Sequence, residues 1–268
     1  MPELPQVEGF VRYFNSTCLH KIIDTTFCND EDFIENTSCS YLQRVLNGHQ
    51  FTTAYRRGKY LVAKLNDHAH LFIIHFGMTG NLEYGLKNNF SDENEKHAKI
   101  ILEFQNNYQL LLINVRKLGK IFLTTSLDNI DPLSQLGFES LEISQDQFLN
   151  LLSEHQNKNI KSFLMDQNLI AGIGNEFSNE ILFQSEIDPH LQIKKLEDEK
   201  RKTLYSCMQH ILKDAVNIFI HDKNASHYPN SWLLAHQEDM TCPKNKKHSL
   251  KKETIAGRSA IFCPEHQS

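Results

Sequence analysis

The stretch FLMDQNLIAGIGNEFSNEILF, residues 163–183, reads as two helical patterns joined by Gly172 and Gly174, with Asn175 where the second helix begins. Glycines let the backbone turn tightly, and the free amides of a helix N-terminus can hold a phosphate. An ordinary helix-to-helix turn has the same spelling, so both readings stand on this stretch alone. Lys161, just upstream, adds a cation that would suit a backbone-phosphate clamp.

Working outward, the helical period continues on both sides. Phe148, Leu149, Leu151 and Leu152 open one helix, Ile160 to Met165 a second, and Asn175 to Phe183 a third. A long helix from about 194 to 220 puts Leu204, Cys207, Met208, Ile211, Leu212, Ala215 and Val216 on one face. Upstream, TSLDNIDPLSQLG (125–137) has turn residues and no period, and marks a linker. Before it, from about 20 to 125, short apolar runs such as YLVAKL, HLFIIHF, KIILEF, QLLLINV and KIFLTT read as an antiparallel all-β domain, a sandwich or barrel. NDHAH (66–70) and QNNYQ (105–109) look like its hairpin turns. At the start, Val7, Phe10, Val11 and Phe14 follow i, i+3, i+4, i+7 after Pro5, so a helix begins almost at once and holds the terminus down.

The fold class is therefore α+β and multidomain. We place an N-terminal β domain at 1–127, a helical domain at 138–235 and a small hairpin module at 236–268. With 40% hydrophobic residues among 268 and no run of roughly 18 apolar ones, the chain can build cores and lacks a membrane-spanning helix. No secretory signal opens it, which points to the cytoplasm and to reduced thiols at all six cysteines. A net charge of −5 argues against a surface that grips polyanions everywhere, but basic clusters occur at 56–59, 115–120 and 244–252. Each cluster alone is equally a solvated face.

Three features carry chemistry. Cys242, His248, Cys263 and His266 spell C-x5-H, 14 residues, then C-x2-H, a donor set for one structural zinc. The C-x5-H pair is unusual, so a metal-free hairpin that docks on the main body is the competing reading. HFGMTG (75–80) and NVRKLGK (114–120) each carry a long side chain into a glycine-flanked loop. Met78 and Leu118 are either core residues or, beside Arg116, wedges for a base stack. Finally, MPELP exposes Pro2 as a secondary amine next to Glu3 if Met1 is removed.

Together these residues resemble the formamidopyrimidine-DNA glycosylase and endonuclease VIII family. MPELPQVE is similar to the family's MPELPEVE opening, RRGKY to its lysine loop, and HFGMTG to its H-x-G-M-[ST]-G. IKSFLMDQNLIAGIGNEFSNEILF resembles its helix-two-turn-helix, and GRSAIFCPEHQ the arm of its zinc finger. The resemblance implies a helix-led β-sandwich, a helical helix-two-turn-helix domain and a zinc-finger-like hairpin, with damaged double-stranded DNA in the cleft. It implies a monomeric base-excision enzyme, nucleoid-associated if bacterial, with glycosylase and abasic-site lyase activities. Pro2 would be the Schiff-base nucleophile, Glu3 the general acid or base, Lys59 an aid to β-elimination and Arg258 to δ-elimination. His97, Arg116, Lys161 and Asn175 fall at its DNA-contacting positions.

The chain departs from the pattern at several points. Gln6 replaces a second glutamate, Leu118 a phenylalanine, Lys117 an arginine, and Asn114-Val115 an Asp-Pro pair, which implies a less rigid loop. HDKNASHYPNSWLLAHQEDM (221–240) leaves little room for a loop capping the damaged base. Gln6 and the irregular ligand spacing also fit a catalytically impaired member that binds damaged DNA. Proline chemistry on small keto acids is a third reading, but it leaves the clamp and the finger without a purpose.

Overall fold

A computed structural model describes residues 2–225 and 227–267. The chain divides into two compact units, residues 1–134 with 219–223, and residues 135–218 with 224–268.

The first unit opens with helix α1 (Leu4–Thr17) and continues through β1 (Ile23–Cys28), α2 (Cys39–Leu46), β2 (Phe51–Arg57), β3 (Tyr60–Leu65) and β4 (Leu71–His75). It goes on with β5 (Gly80–Leu86), α3 (Asp92–His97), β6 (Ala98–Phe104), β7 (Tyr108–Asn114), β8 (Lys120–Thr124) and the short α4 (Asp131–Ser134). The strands form two four-stranded antiparallel sheets, in the orders β1-β6-β7-β5 and β2-β3-β4-β8. Alternate residues such as Leu61, Ala63 and Leu65, or Ile100, Leu102 and Phe104, face a shared core, as a half-buried sheet requires. Val7, Phe10, Val11 and Phe14 of α1 join that core. Both anticipated hairpin turns are present, between β3 and β4 and between β6 and β7.

Two expectations are corrected here. Cys28 and Cys39 form a disulfide, with Cα atoms 6.0 Å apart, so they are not free thiols. Their spacing matches no disulfide framework; the sandwich brings the end of β1 beside the start of α2. The stretch 125–137 is also more than a linker, because it holds a 3-10 turn at Leu127–Asn129 and then α4. Helix α2 interrupts what reads as a run of strands. Ser38 caps it by accepting from the Tyr41 N–H, and Leu42, Val45 and Leu46 face inward.

The second unit comprises β9 (Phe138–Glu139), α5 (Gln145–Glu154), α6 (Ile160–Met165), β10 (Ile170–Ala171), α7 (Asn175–Gln184), most of α8 (Asp198–His221), and the hairpin β11 (Lys251–Ile255) and β12 (Arg258–Phe262). α8 begins four residues later than its apolar pattern implies, because a 3-10 turn at Ile193–Lys195 precedes it. The hairpin turns through Ala256 and Gly257, both at positive φ, as a two-residue turn of this hand demands. Its apolar side does not stand alone: Leu250, Ile261, Cys242 and Cys263 pack with Phe183 of α7 and Leu233. Glu180, fully buried on α7, accepts from the Leu234 N–H at 2.9 Å and so ties the segment before the hairpin to the same helix.

Candidate active site and nucleic-acid interface

Glu3 is the N-cap of α1 and only 1% exposed. Its carboxylate accepts from the Gln6 backbone, and Gln6 Oε1 in return accepts from the Glu3 N–H at 3.0 Å, a capping box. Gln6 thus performs by its carbonyl oxygen an orienting task that needs no second negative charge. α1 is fastened to the sandwich along its length. Phe10 stacks on Phe76 at 4.3 Å, Phe14 meets Phe51 at 5.0 Å, Glu8 pairs with Arg56 at 3.3 Å, and the Asn15 amide bonds both backbone groups of Ala54. Pro2, half-buried, lies directly ahead of the Glu3 cap of this fastened helix.

Lys59 sits on the β2–β3 turn next to Gly58, which takes φ +54°, and is 7% exposed. Arg56 Nη1 donates to the Gly58 carbonyl at 3.0 Å and closes that turn. Across the sheet, Tyr60 pairs with His75, their rings 4.8 Å apart. Burial, with the Lys59 charge nearby, pushes the His75 imidazole down from 6.5 to about 4. Its folded value lies below the unfolded one, so the stability it contributes is present above pH 6.5 and is lost as pH falls toward 4. Wild-type protein is expected to lose up to about 3 kcal/mol in urea titrations over that window, and His75→Phe to lose less. Parallel curves for the two proteins would contradict this.

The two glycine-flanked loops meet as a pair. A Cβ on Gly77, which has φ +61°, would lie 2.4 Å from the Leu118 carbonyl carbon, so only glycine permits this approach. The Thr79 hydroxyl accepts from the Arg116 N–H at 3.0 Å. Asn114, fully buried, donates from Nδ2 to the Phe76 carbonyl at 2.8 Å and accepts the Leu118 N–H at 3.1 Å. The amide both donates and accepts, which an ionised aspartate cannot do, so this loop is held without the Asp-Pro pair. Met78 and Leu118 are 42% and 48% exposed, and Arg116 is exposed beside them. They are not core residues. His97 ends α3, half-buried, where β6 begins.

In the second unit the α6–α7 turn is braced by Gln167. Its Oε1 accepts from Gly172 N at 3.0 Å and its Nε2 donates to the Ile173 carbonyl at 2.7 Å. Gly172 has φ +104°, and Gly174 is the N-cap of α7. Lys161 differs from the expected open phosphate contact: it is 1% exposed. Its Nζ donates to Ser178 Oγ at 2.8 Å, Asn179 Oδ1 at 2.5 Å and the Asn175 carbonyl at 3.4 Å. Lys161 therefore reaches the turn from inside, through Asn175, while Asn175 Oδ1 itself is buried with no partner among the described residues.

At the hairpin tip, Arg258 is exposed directly after the Ala256-Gly257 turn. The donor atoms of His248, Cys263 and Glu265 lie within 4.8 Å of one another, a possible metal site. Cys263 Sγ donates to Glu265 Oε2 at 3.7 Å, and burial, with the Cys242 thiol nearby, holds the Cys263 thiol up at about 11. His266 is turned elsewhere: its ring packs 4.7 Å from Phe183, and its Nε2 is buried without a partner among the described residues. A thiol, an imidazole and a carboxylate are donors that zinc accepts; Cys242, buried, lies outside that three-donor group. Glu265 escapes a search for Cys and His spacing; only its position two residues after Cys263 could have drawn notice.

Residues 1–121 match the formamidopyrimidine-DNA glycosylase N-terminal domain, and residues 136–224 match the formamidopyrimidine-DNA glycosylase H2TH domain. Over 98% of this chain and 94% of its own length, the formamidopyrimidine-DNA glycosylase of Mycoplasma genitalium is 29% identical. That of Arabidopsis thaliana is 28% identical over all of this chain and 71% of its own length. Among solved structures, a complex of Lactococcus lactis Fpg with abasic-site DNA superposes with a TM-score of 0.84 at 24% identity, covering 99% of both chains. A complex of the same enzyme with FAPY-dG DNA gives 0.84 over 99% of this chain.

Proposed function

The chain belongs to the formamidopyrimidine-DNA glycosylase family, and from that premise we propose that it is a base-excision repair enzyme, both DNA glycosylase and abasic-site lyase, acting on oxidised or ring-opened bases. The observation that supports this best is the Pro2-Glu3 pair at the head of a fully anchored helix, with Glu3 buried. Removal of Met1 frees the Pro2 amine. An α-amino group has a pKa roughly two and a half units below lysine's, so far more of it is neutral at pH 7. The Pro2 nitrogen attacks C1′, the bond from C1′ to the base breaks with the amine proton passing to the departing base, and Glu3 delivers a proton to the ring oxygen as the deoxyribose opens to the iminium. A secondary amine gives an iminium with no N–H to lose, whose positive charge acidifies the C2′ protons. Loss of one of them expels the 3′ phosphate, a step we assign to assistance by Lys59. Loss of the 5′ phosphate follows with Arg258.

Met78, Arg116 and Leu118 would enter the duplex at the lesion, with His97 and the Asn175 turn on the backbone. Gln6 keeps the capping role, which favours an active enzyme. Among the described residues no helix is long and apolar enough to cross a membrane; we read the protein as a cytoplasmic monomer, divided at 1–127, 138–235 and 236–268. Duplexes carrying single oxidised pyrimidines, formamidopyrimidines or 8-oxoguanine are the direct test. Strand scission at one or more lesions is expected, and intact strands with every lesion and with abasic DNA would overturn the reading.

We also propose one structural zinc held by Cys242, His248 and Cys263. His266 completes the set by spacing, but Glu265 stands nearer in the fold and is the preferred fourth donor. When bound, the metal supplies folding energy to a hairpin with little core of its own. One equivalent of zinc per chain is expected in purified protein, with a lower Tm after chelation. Folded protein without zinc would contradict it.

A further inference from the structure

The segment between β1 and α2 performs no task in the proposed reaction, yet it is laid against the loop that carries Arg116 and Leu118. Its ends are joined by the Cys28–Cys39 disulfide. Asn29 bonds the Lys99 and Ala98 carbonyls at 2.9 and 3.1 Å, Glu35 N–H donates to the Ile121 carbonyl at 2.9 Å, and the Asn36 amide bonds both backbone groups of Leu123. The segment is thus a strap bound along β6 and β8. From it, Asp30 reaches Lys117 at 2.9 Å and Lys99 at 3.8 Å, its carboxylate 11% exposed. Lys120 is held at 2.8 Å by both the Asp32 carbonyl and Glu35. Phe33 is so close to Gly119 that a Cβ there would meet its ring at 2.8 Å.

Lys117 has φ +55°, a left-handed conformation that an L side chain rarely adopts without support. It stands between Arg116 and Leu118, so its backbone sets the direction in which both point. Asn114 fixes the loop from inside and the strap grips it from outside.

We propose that Asp30 is a positioning residue for damage recognition: through Lys117 it holds the 115–119 loop in its left-handed turn and aims Arg116 and Leu118. This rests on the reading of those two residues as the ones that enter the duplex. A misplacement of about 1 Å at such a probe is enough to cost a large factor in rate.

Hydrogen exchange of the full chain tests the structural half. Asp30→Asn is expected to speed exchange across 115–119 and leave β3 unchanged, and Asp30→Lys with Lys117→Asp to restore protection. Cys28→Ser with Cys39→Ser should move the same peptide. Borohydride trapping tests the functional half. Asp30→Asn is expected to lower trapping on abasic duplex on the order of tenfold and to leave trapping on single-stranded abasic DNA unchanged, since no stack needs opening there. Unchanged exchange, or equal loss on both DNAs, would overturn the proposal. If the wild-type protein traps neither DNA, the assigned reaction fails, while exchange still decides whether Asp30 holds the loop.

Discussion

Pro2→Gly protein is expected to yield no adduct above background when abasic duplex DNA is treated with borohydride, while its Tm stays near that of the wild type. The proline ring does two things that glycine cannot. It makes the attacking group a secondary amine, so the iminium formed at C1′ has no N–H to lose and stays cationic until C2′ is deprotonated. It also restricts the terminal residue just ahead of the α1 cap, so the nitrogen is held rather than searching. Glu3→Gln separates chemistry from capping. A glutamine carbonyl can still accept the Gln6 N–H, so helix α1 should lose less than about 1 kcal/mol. The proton donor is gone, however, and base excision should fall roughly 100-fold or more. Equal losses of Tm and activity in Glu3→Gln would show that the residue is structural only.

The second large effect belongs to Lys161. Replacing it by alanine removes the donor shared by Ser178, Asn179 and the Asn175 carbonyl, and leaves a cavity inside the α6–α7 pair. Stranded buried acceptors and lost packing together are expected to cost about 3 kcal/mol, which lowers Tm by roughly 6–12 °C. Salt-dependent binding to abasic duplex should weaken as well, because the Asn175 turn loses its inner support. A surface lysine that only touched phosphate would weaken binding and leave Tm alone. Thermal melts of the DNA-free protein distinguish the two.

Much of the architecture is legible in the amino-acid sequence. Helices α6 and α7 fall within a residue of their apolar patterns, and the hairpin turns at 66–70 and 105–107 lie where Asn and Asp cluster. Local signals suffice there because period and turn chemistry are set by neighbours in the chain. Helix α2 is legible only in part: Ser38 is a capping residue and Leu42, Val45 and Leu46 have helical spacing, but a run of only eight residues among strands reads equally as more strand.

What stays hidden depends on contacts between distant segments. The Cys28–Cys39 bridge, the grip of Asp30 on Lys117 and the two-way bond of Asn114 arise only once the sandwich has closed. The same holds for Lys161, whose charge suggests a surface contact but whose side chain turns inward onto α7, and for Glu265, which enters the hairpin cluster while His266 packs on Phe183. Family resemblance names such positions; the fold decides what each one touches.

Peptide mapping by mass spectrometry of the borohydride-reduced complex with abasic duplex DNA tests the central claim most directly. The expected result is a deoxyribose remnant on the N-terminal peptide, attached to the Pro2 nitrogen with Met1 absent. An adduct on Lys59 or another lysine, or no adduct from a folded protein, would contradict the assignment of Pro2 as nucleophile.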